Sequence, residues 1–414
     1  MTESWTDTTL GSICDDGNGQ IKTGPFGSQL HKSDYTEEGV PVVMPTNITE
    51  GKVSTEGIAR IDDENVARLS KHKLIPGDIV YGRRGDIGRQ ALISTRENGW
   101  LCGTGCIRIT LGNGPVDSTF LHYYLRDENV ISYISNQAVG ATMPNLNTKI
   151  LRSIPVRHPD LPTQRRIAGI LSAYDDLIEN NLRRIRILEE MAQSLYREWF
   201  VHFRYPGHES VPLVDSPLGP IPEGWEVKEV DESFEITGGG TPSKKVDEYW
   251  DEGTIQWYSP RDLTAKGTMF MECSADQITE LGLKKSSAKM FPANSVMLTS
   301  RATIGAISIN TVPACTNQGF ITCLPNEEVP QYFLYQWLTA NVETFISHAS
   351  GATFKEISKG VFRKLNFLQP AQDLVSRYEV TVTPIADQLL NLQRRNRALR
   401  QTRDLLLPKL LARK

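Results

Sequence analysis

Two stretches decide the architecture: Leu74-Ile-Pro-Gly-Asp-Ile-Val80 running into Tyr81-Gly-Arg-Arg-Gly-Asp-Ile-Gly88, and Met290-Phe-Pro-Ala-Asn-Ser-Val-Met297 running into Thr299-Ser-Arg-Ala-Thr-Ile-Gly305. Each reads as a turn, a β-branched strand, and a loop that carries arginine and ends in Ile-Gly. The likeness extends outward with a period of about 210 residues, the mark of an internal repeat. An aromatic helix follows each copy, at residues 120–133 and 332–345. Then comes the same tripeptide, Gly140-Ala-Thr142 and Gly351-Ala-Thr353, a proline-marked strand, and a long helical pattern.

The long helices announce themselves by apolar steps of three and four, the heptad signature. Pro162 and Thr163, with threonine as the expected N-cap, precede a seam of Leu171, Tyr174, Ile178, Ile185, Leu188, Ala192, Leu195 and Trp199. After Pro370 a second seam reads Val375, Tyr378, Val382, Ile385, Leu389, Leu392, Leu399, Leu406 and Leu410. Each helix has room for roughly 40 residues, about 60 Å at 1.5 Å per residue. The expected fold class is α+β: two similar α/β globules separated by two long helices packed as an antiparallel coiled coil. The expected boundaries are 1–155 and 225–368 for the globules, 156–205 and 369–414 for the helices, and a proline-rich linker at 206–224. Pro384 should kink or interrupt the second helix. Asn181 and Asn396 fall on the seams, and their complementary offsets allow them to meet and fix an antiparallel register; equally, they are two independent positions facing solvent.

With 414 residues, 39% hydrophobic and 23% charged, the chain can bury a core and is too apolar for disorder. No apolar run approaches a membrane helix, and the polar first residues are neither signal nor transit peptide, so a soluble cytoplasmic protein is expected. The six cysteines, Cys14, Cys102, Cys106, Cys273, Cys315 and Cys323, lack zinc-site spacing and read as free thiols in a reducing compartment. Catalytic signatures are missing: no phosphate-binding loop, no Asn-Pro-Pro-Tyr-like grip for a flipped adenine, no nuclease motif, no Gly-x-Ser-x-Gly elbow. The seven histidines are scattered. An enzyme is disfavoured and no metal site is expected; two globules on two long helices suit a device that touches two sites on one elongated target. The net charge of −4 argues mildly against nucleic acid, although distribution matters more than the sum.

Several segments resemble the specificity subunits of type I DNA restriction–modification systems. Trp225-Glu-Val-Lys, Gly238-Gly-Gly-Thr-Pro242, Tyr249-Trp250 and Ile255-Gln-Trp257 look like the opening of a target recognition domain, and Lys22-Thr-Gly-Pro-Phe-Gly-Ser28 with Asp34-Tyr35 and Gly39-Val-Pro-Val is another form of it. The Pro76-Gly-Asp-Ile-Val80 stretch, with the arginines and Ile-Gly that follow it, resembles the central motif of that domain, and Thr316-Asn-Gln-Gly-Phe320 resembles the strand that comes next. Gln164-Arg-Arg-Ile-Ala-Gly-Ile-Leu171 with Asp175-Asp-Leu-Ile looks like the start of the inter-domain helix, a run that Pro370-Ala-Gln-Asp-Leu does not repeat. The resemblance implies that each globule reads one half of a split double-stranded DNA target. It also implies that the helices set the gap and dock two methyltransferase subunits, and that restriction/translocase subunits join them. S-adenosylmethionine, ATP and magnesium would then sit on the partner subunits and none on this chain. Alternatives are a specificity subunit of another multi-subunit restriction system, or a scaffold that binds protein rather than DNA.

Candidate DNA contacts follow from residue type. Lys22, Lys32, Arg83, Arg84 and Arg89, and in the second globule Lys244, Lys245, Arg261 and Arg301, suit phosphate or guanine; Ser28, Gln29, Asn47, Asn145 and Asn147 suit base edges. Residues 22–32 and 81–89 are preferred, because their glycines permit close approach of backbone to DNA. Arg394, Arg395, Arg397, Arg400 and Arg403 make the last helix basic, either as a solvated face or as a surface for a partner or DNA.

Overall fold

A computed structural model describes residues 5–83, 88–137, 146–351 and 355–412. It divides into two units, residues 1–179 with 397–414 and residues 180–396, so each long helix contributes a segment to both.

Unit 1 holds a globule whose first strand, Thr6–Thr9, pairs antiparallel with its last, Pro155–His158. Between them lies a four-stranded antiparallel sheet in the order Asn18–Thr23, Cys106–Gly112, Ile79–Gly82, Gln90–Leu92. A second sheet runs Leu101–Cys102, Val40–Val43, Ala59–Ile61, Tyr35–Thr36, with the first two strands parallel. Ile79–Gly82 is buried at every position, as a central strand covered on both faces must be. The turn before it is built by its own sequence. Gly77 takes φ +89°, Asp78 N–H donates to the Ile75 carbonyl at 3.0 Å, and the Asp78 carboxylate accepts the Ile75 N–H at 2.9 Å.

Unit 2 repeats this plan. Glu226–Glu229 pairs antiparallel with Asn366–Gln369. A sheet runs Glu235–Gly238, Phe320–Leu324, Val296–Thr299, Ile307–Asn310, and adds Phe270–Met271 at its edge. A second sheet runs Asp276–Ile278, Ile255–Tyr258, Ala314–Thr316, again with one parallel pair. Val296–Thr299 is the counterpart of Ile79–Gly82 and is equally buried. Asn294, at φ +69°, occupies a left-handed position in the turn before it, which asparagine tolerates better than most residues.

The first long helix spans Leu161–Tyr196 and widens into a π turn at Arg197–Val201; the second spans Gln372–Leu411. Two expectations need correction. The capping group of the first helix is Asp160, whose carboxylate accepts the Thr163 N–H at 3.1 Å, not Thr163. Pro162 fits inside the first turn because the N–H it lacks has no helical acceptor there. The second helix is not interrupted at Pro384. Pro384 is exposed, and Val380, whose carbonyl loses its helical donor, is 75% exposed, so water can serve that carbonyl.

The seams pack as their spacing implies. In unit 1, Ile167, Ala168, Leu171 and Leu407 join the globule's core. In unit 2, Asn181 Nδ2 donates to Asn396 Oδ1 at 2.8 Å, both residues being buried, and the rings of Trp199 and Tyr378 lie 6.0 Å apart. The first helix therefore advances as the second retreats, and the pairing is antiparallel. Ile178, Ile185, Leu389 and Leu392 are buried, while Tyr174, Leu188, Leu195 and Leu399 are half-buried at the seam edge.

Candidate nucleic-acid interface

In unit 1 the strand Asn18–Thr23 delivers Lys22 to a glycine-bounded loop. Strand register places Lys22 directly opposite Arg108, two like charges that ordinarily repel across a ladder. Arg108 is buried, bonds the Lys73 carbonyl and lies 3.9 Å from the Asp78 carboxylate. His72 is buried beside them. Burial pushes its imidazole down to about 4, and Lys71, Lys22 and Arg108 push the same way. A histidine lowered by burial first, and then by Lys71, Lys22 and the Asp78-paired Arg108, marks a concentration of cations within a chain of negative net charge.

The loop that leaves Lys22 carries Phe26, 55% exposed, then Ser28 and Lys32, both exposed. Its shape is held from within. Gln29 Oε1 accepts the Phe26 N–H at 3.3 Å, while Arg68 donates to the Gln29 carbonyl at 2.6 Å and pairs with Asp34 at 3.2 Å. Arg68 is a positioning residue that sequence reasoning missed; only the fold brings it to the loop.

The remaining candidates of unit 1 divide. Arg89 is exposed, and half-buried Arg83 donates from Nε to the Leu146 carbonyl at 2.8 Å. Asn147 caps the helix Thr148–Arg152 by accepting the Ile150 N–H at 2.9 Å. Asn47 is 4% exposed; its Oδ1 accepts the Met44 N–H at 3.1 Å and its Nδ2 donates to the Glu56 carbonyl at 3.4 Å, so its amide is engaged inside the globule. Arg84 and Asn145 lie outside the described residues.

The corresponding loop of unit 2 follows Glu235–Gly238. Gly240 N–H donates to the Thr316 carbonyl at 2.9 Å, Trp257 Nε1 donates to the Gly240 carbonyl at 2.9 Å, and Thr241 bonds Gln318 at 2.7 Å. Lys244 is engaged locally: its ammonium lies 3.4 Å from the Trp250 ring centroid and 2.8 Å from Asp276. Lys245 and Arg261 are exposed; Arg301, also exposed, stands 3.6 Å from Glu356. The structure adds Lys359, whose ammonium rests on Gly238 where a Cβ would collide with it. Burial lowers its affinity for a proton, and Lys289 and Arg363 lower it further. No sequence spacing links Gly238 to Lys359; only the folded chain does.

Three arginines of the last helix serve internal pairs. Arg394 meets Glu272 at 2.6 Å in unit 2; in unit 1 Arg400 meets Glu50 at 3.1 Å and Arg403 meets Asp175. Among the described residues no group of three or more His, Cys, Asp or Glu could hold a metal, and no helix is long and apolar enough to cross a membrane. The six cysteines are free, five of them buried, and burial pushes the Cys102 thiol up to about 12.

Comparison with known proteins agrees with this layout. The sequence profile of the type I restriction modification DNA specificity domain matches residues 2–190 and 222–373. The chain is 26% identical to the type I restriction enzyme MjaIX specificity subunit of Methanocaldococcus jannaschii, over 91% of this chain and 87% of that protein. It is 24% identical to the type I restriction enzyme HindI specificity subunit of Haemophilus influenzae, over 88% and 93%. A crystal structure of a type I restriction–modification system S subunit from M. genitalium shares the fold, with a TM-score of 0.57 at 17% identity over 99% of this chain and 96% of that one. The chain belongs to the family of type I restriction–modification DNA specificity subunits.

Proposed function

We propose that each globule reads one half of a bipartite double-stranded DNA target. The observation that carries this reading is the repeated plan: two units that share a four-strand sheet order and a second sheet with one parallel pair, each presenting a glycine-bounded loop with exposed lysine at the same point of the chain path. In unit 1 the exposed loop with Phe26, Ser28 and Lys32 leaves directly from the positive cluster of Lys22, Arg108, Lys71 and neutral His72. Such a field attracts phosphate whatever the sequence, and the loop side chains beside it supply the contacts that discriminate bases. Lys32 and Arg89 in unit 1, and Lys245 and Arg261 in unit 2, have the exposure that a phosphate contact needs, and half-buried Lys22 and Lys359 stand beside further cations, Arg108 in one case and Lys289 and Arg363 in the other. Lys244, held by Trp250 and Asp276, instead shapes its loop.

In this reading the helices set the distance between half-sites and dock two methyltransferase subunits. Exposed apolar side chains support docking: Ile170 and Leu177 on the unit 1 segment of the first helix, Ile187 and Met191 on its unit 2 segment. S-adenosylmethionine, ATP and magnesium bind the partner subunits, and this cytoplasmic chain performs no catalysis itself. Modification-sensitive sequencing of DNA from cells carrying the complete system tests the reading. A methylated motif of two short specified blocks, separated by a fixed unspecified gap, is expected; a continuous motif contradicts it.

A further inference from the structure

We propose that the polar groups of the helix seams make the two long helices select each other and reject the same helix of a second copy of the chain. The strands that lead into the helices, Pro155–His158 and Asn366–Gln369, hold the same place in their units. A residue of the first helix therefore corresponds to the residue 211 positions later in the second. On that correspondence Asp175 maps to Ala386, and Arg403 to Ala192. Asn181 maps to Leu392, and Asn396 to Ile185. All eight side chains lie in the packed seam: both alanines, Ile185, Leu392, both asparagines and Arg403 are buried, and the Asp175 side chain is only 13% exposed.

Each polar layer thus occurs once, and its counterpart in the repeat is apolar. In unit 1 the Arg403 guanidinium bonds the Asp175 carboxylate, which also accepts the Tyr123 hydroxyl at 2.6 Å and lies 3.4 Å from Arg126. In unit 2 the two asparagines bond each other. A chain made of two like halves has a second way to close, with each helix packed against its own copy from another molecule in the same antiparallel register. First-helix pairs would then set Asp175 against Ala192 and Asn181 against Ile185. Second-helix pairs would set Arg403 against Ala386 and Asn396 against Leu392. Asp175 would keep Tyr123 and Arg126, but Arg403 would be left with Asp404, and both asparagines would face apolar groups. A buried charge or amide without its partner is strongly disfavoured, whereas an apolar seam would accept either arrangement. The carboxylate, guanidinium and amides therefore act less as fasteners than as a code for which helix faces which.

The test gives each half the other's seam in the full-length chain: Asp175→Ala, Arg403→Ala, Asn181→Leu and Asn396→Ile together. Light scattering across a concentration series reads association, and cross-linking mass spectrometry on mixed isotope-labelled chains reads which helices meet. The variant should dimerise at a concentration at least about tenfold below that of the wild type, with first-helix to first-helix cross-links between chains. A folded variant that associates no more than the wild type overturns the proposal, as do equally frequent same-helix cross-links in the wild type. If the fourfold variant does not fold, the two paired variants, Asp175→Ala/Arg403→Ala and Asn181→Leu/Asn396→Ile, carry the same expectation with a smaller shift. Their remaining monomeric while folded overturns it equally.

Discussion

In unit 1 the long-helix segments add charge to their apolar contact with the globule: Ile167, Ala168, Leu171 and Leu407 join its core, and the Asp175 carboxylate gathers Arg403, Tyr123 and Arg126. In unit 2 the corresponding helix positions are Ala386 and Ala192, and the surroundings are aromatic. Phe200 lies 4.8 Å from Phe333 and 5.1 Å from Tyr378, and Tyr196 lies 5.7 Å from Phe333. One architectural plan thus adds an ion network to its apolar core in one copy and packed aromatic rings in the other. Desolvating a carboxylate and a guanidinium consumes most of what their attraction returns, while ring burial stabilises without that cost. The aromatic unit closes its helix layer without such a pair, so the charged layer points to selectivity of pairing.

The comparison breaks most easily at Asp175. Asp175→Ala leaves Arg403 buried with Asp404 alone and should destabilise unit 1 by about 3–5 kcal/mol. Asp175→Ala/Arg403→Ala, which copies the alanine layer of unit 2, should lose clearly less. Denaturant unfolding, resolved by hydrogen exchange into the two units, checks both. Equal losses for the single and double variants would mean that the guanidinium does not depend on the carboxylate.

The two units should also answer pH with opposite sign. Glu379 of the second helix accepts the N–H groups of Tyr332 and Phe333 at 2.9 and 2.7 Å, yet burial pushes its carboxyl up to about 7. A raised carboxyl favours the protonated folded form. Its contribution is complete below the ordinary 4.5 and is lost as pH rises to about 7. Asp175 is the reverse: burial would raise it, but Tyr123 and Arg403 outweigh burial and hold it below 3.8. Its contribution is complete above that value and is lost as pH falls below it. Unit 2 should therefore weaken by about 1–3 kcal/mol between pH 4.5 and 7, a slope that Glu379→Gln removes. Melting profiles of both chains across that range decide it; a slope unchanged by Glu379→Gln contradicts the assignment.

A smaller effect sharpens the contrast between the loops. Lys22→Ala in the assembled complex should weaken binding about evenly across sequences and reduce the salt slope by about 1, as loss of one phosphate contact does. Binding titrations at several salt concentrations give the slope. A loss confined to the specific site, with the slope unchanged, would assign Lys22 to a base instead.

The repeat, the two helices and the seam with its two asparagines were legible because they are local or periodic: burial at every third or fourth position follows from helix geometry alone. The Pro384 break failed because a proline on the wet face of a long, well-packed helix frees a carbonyl that water can reach. The candidate interface was less legible because its parts meet across the sequence. Lys22 opposite Arg108, Arg68 at the Gln29 loop, and Lys359 on Gly238 depend on strand register and domain packing, which residue types do not announce. Asn47 and Lys244 have the residue types of DNA contacts, but neighbours brought by the fold engage their polar groups.

Exchange of one globule, read by the methylated motif, tests the central claim most directly. Residues 5–158, from the first strand of unit 1 to the strand that closes it, are replaced by the equivalent segment of a relative with a different target, and DNA from cells carrying the complete system is sequenced for modification. Independent reading by the two globules predicts that one block of the motif changes while the other block and the gap remain. A motif in which both blocks change together, or neither does, contradicts it.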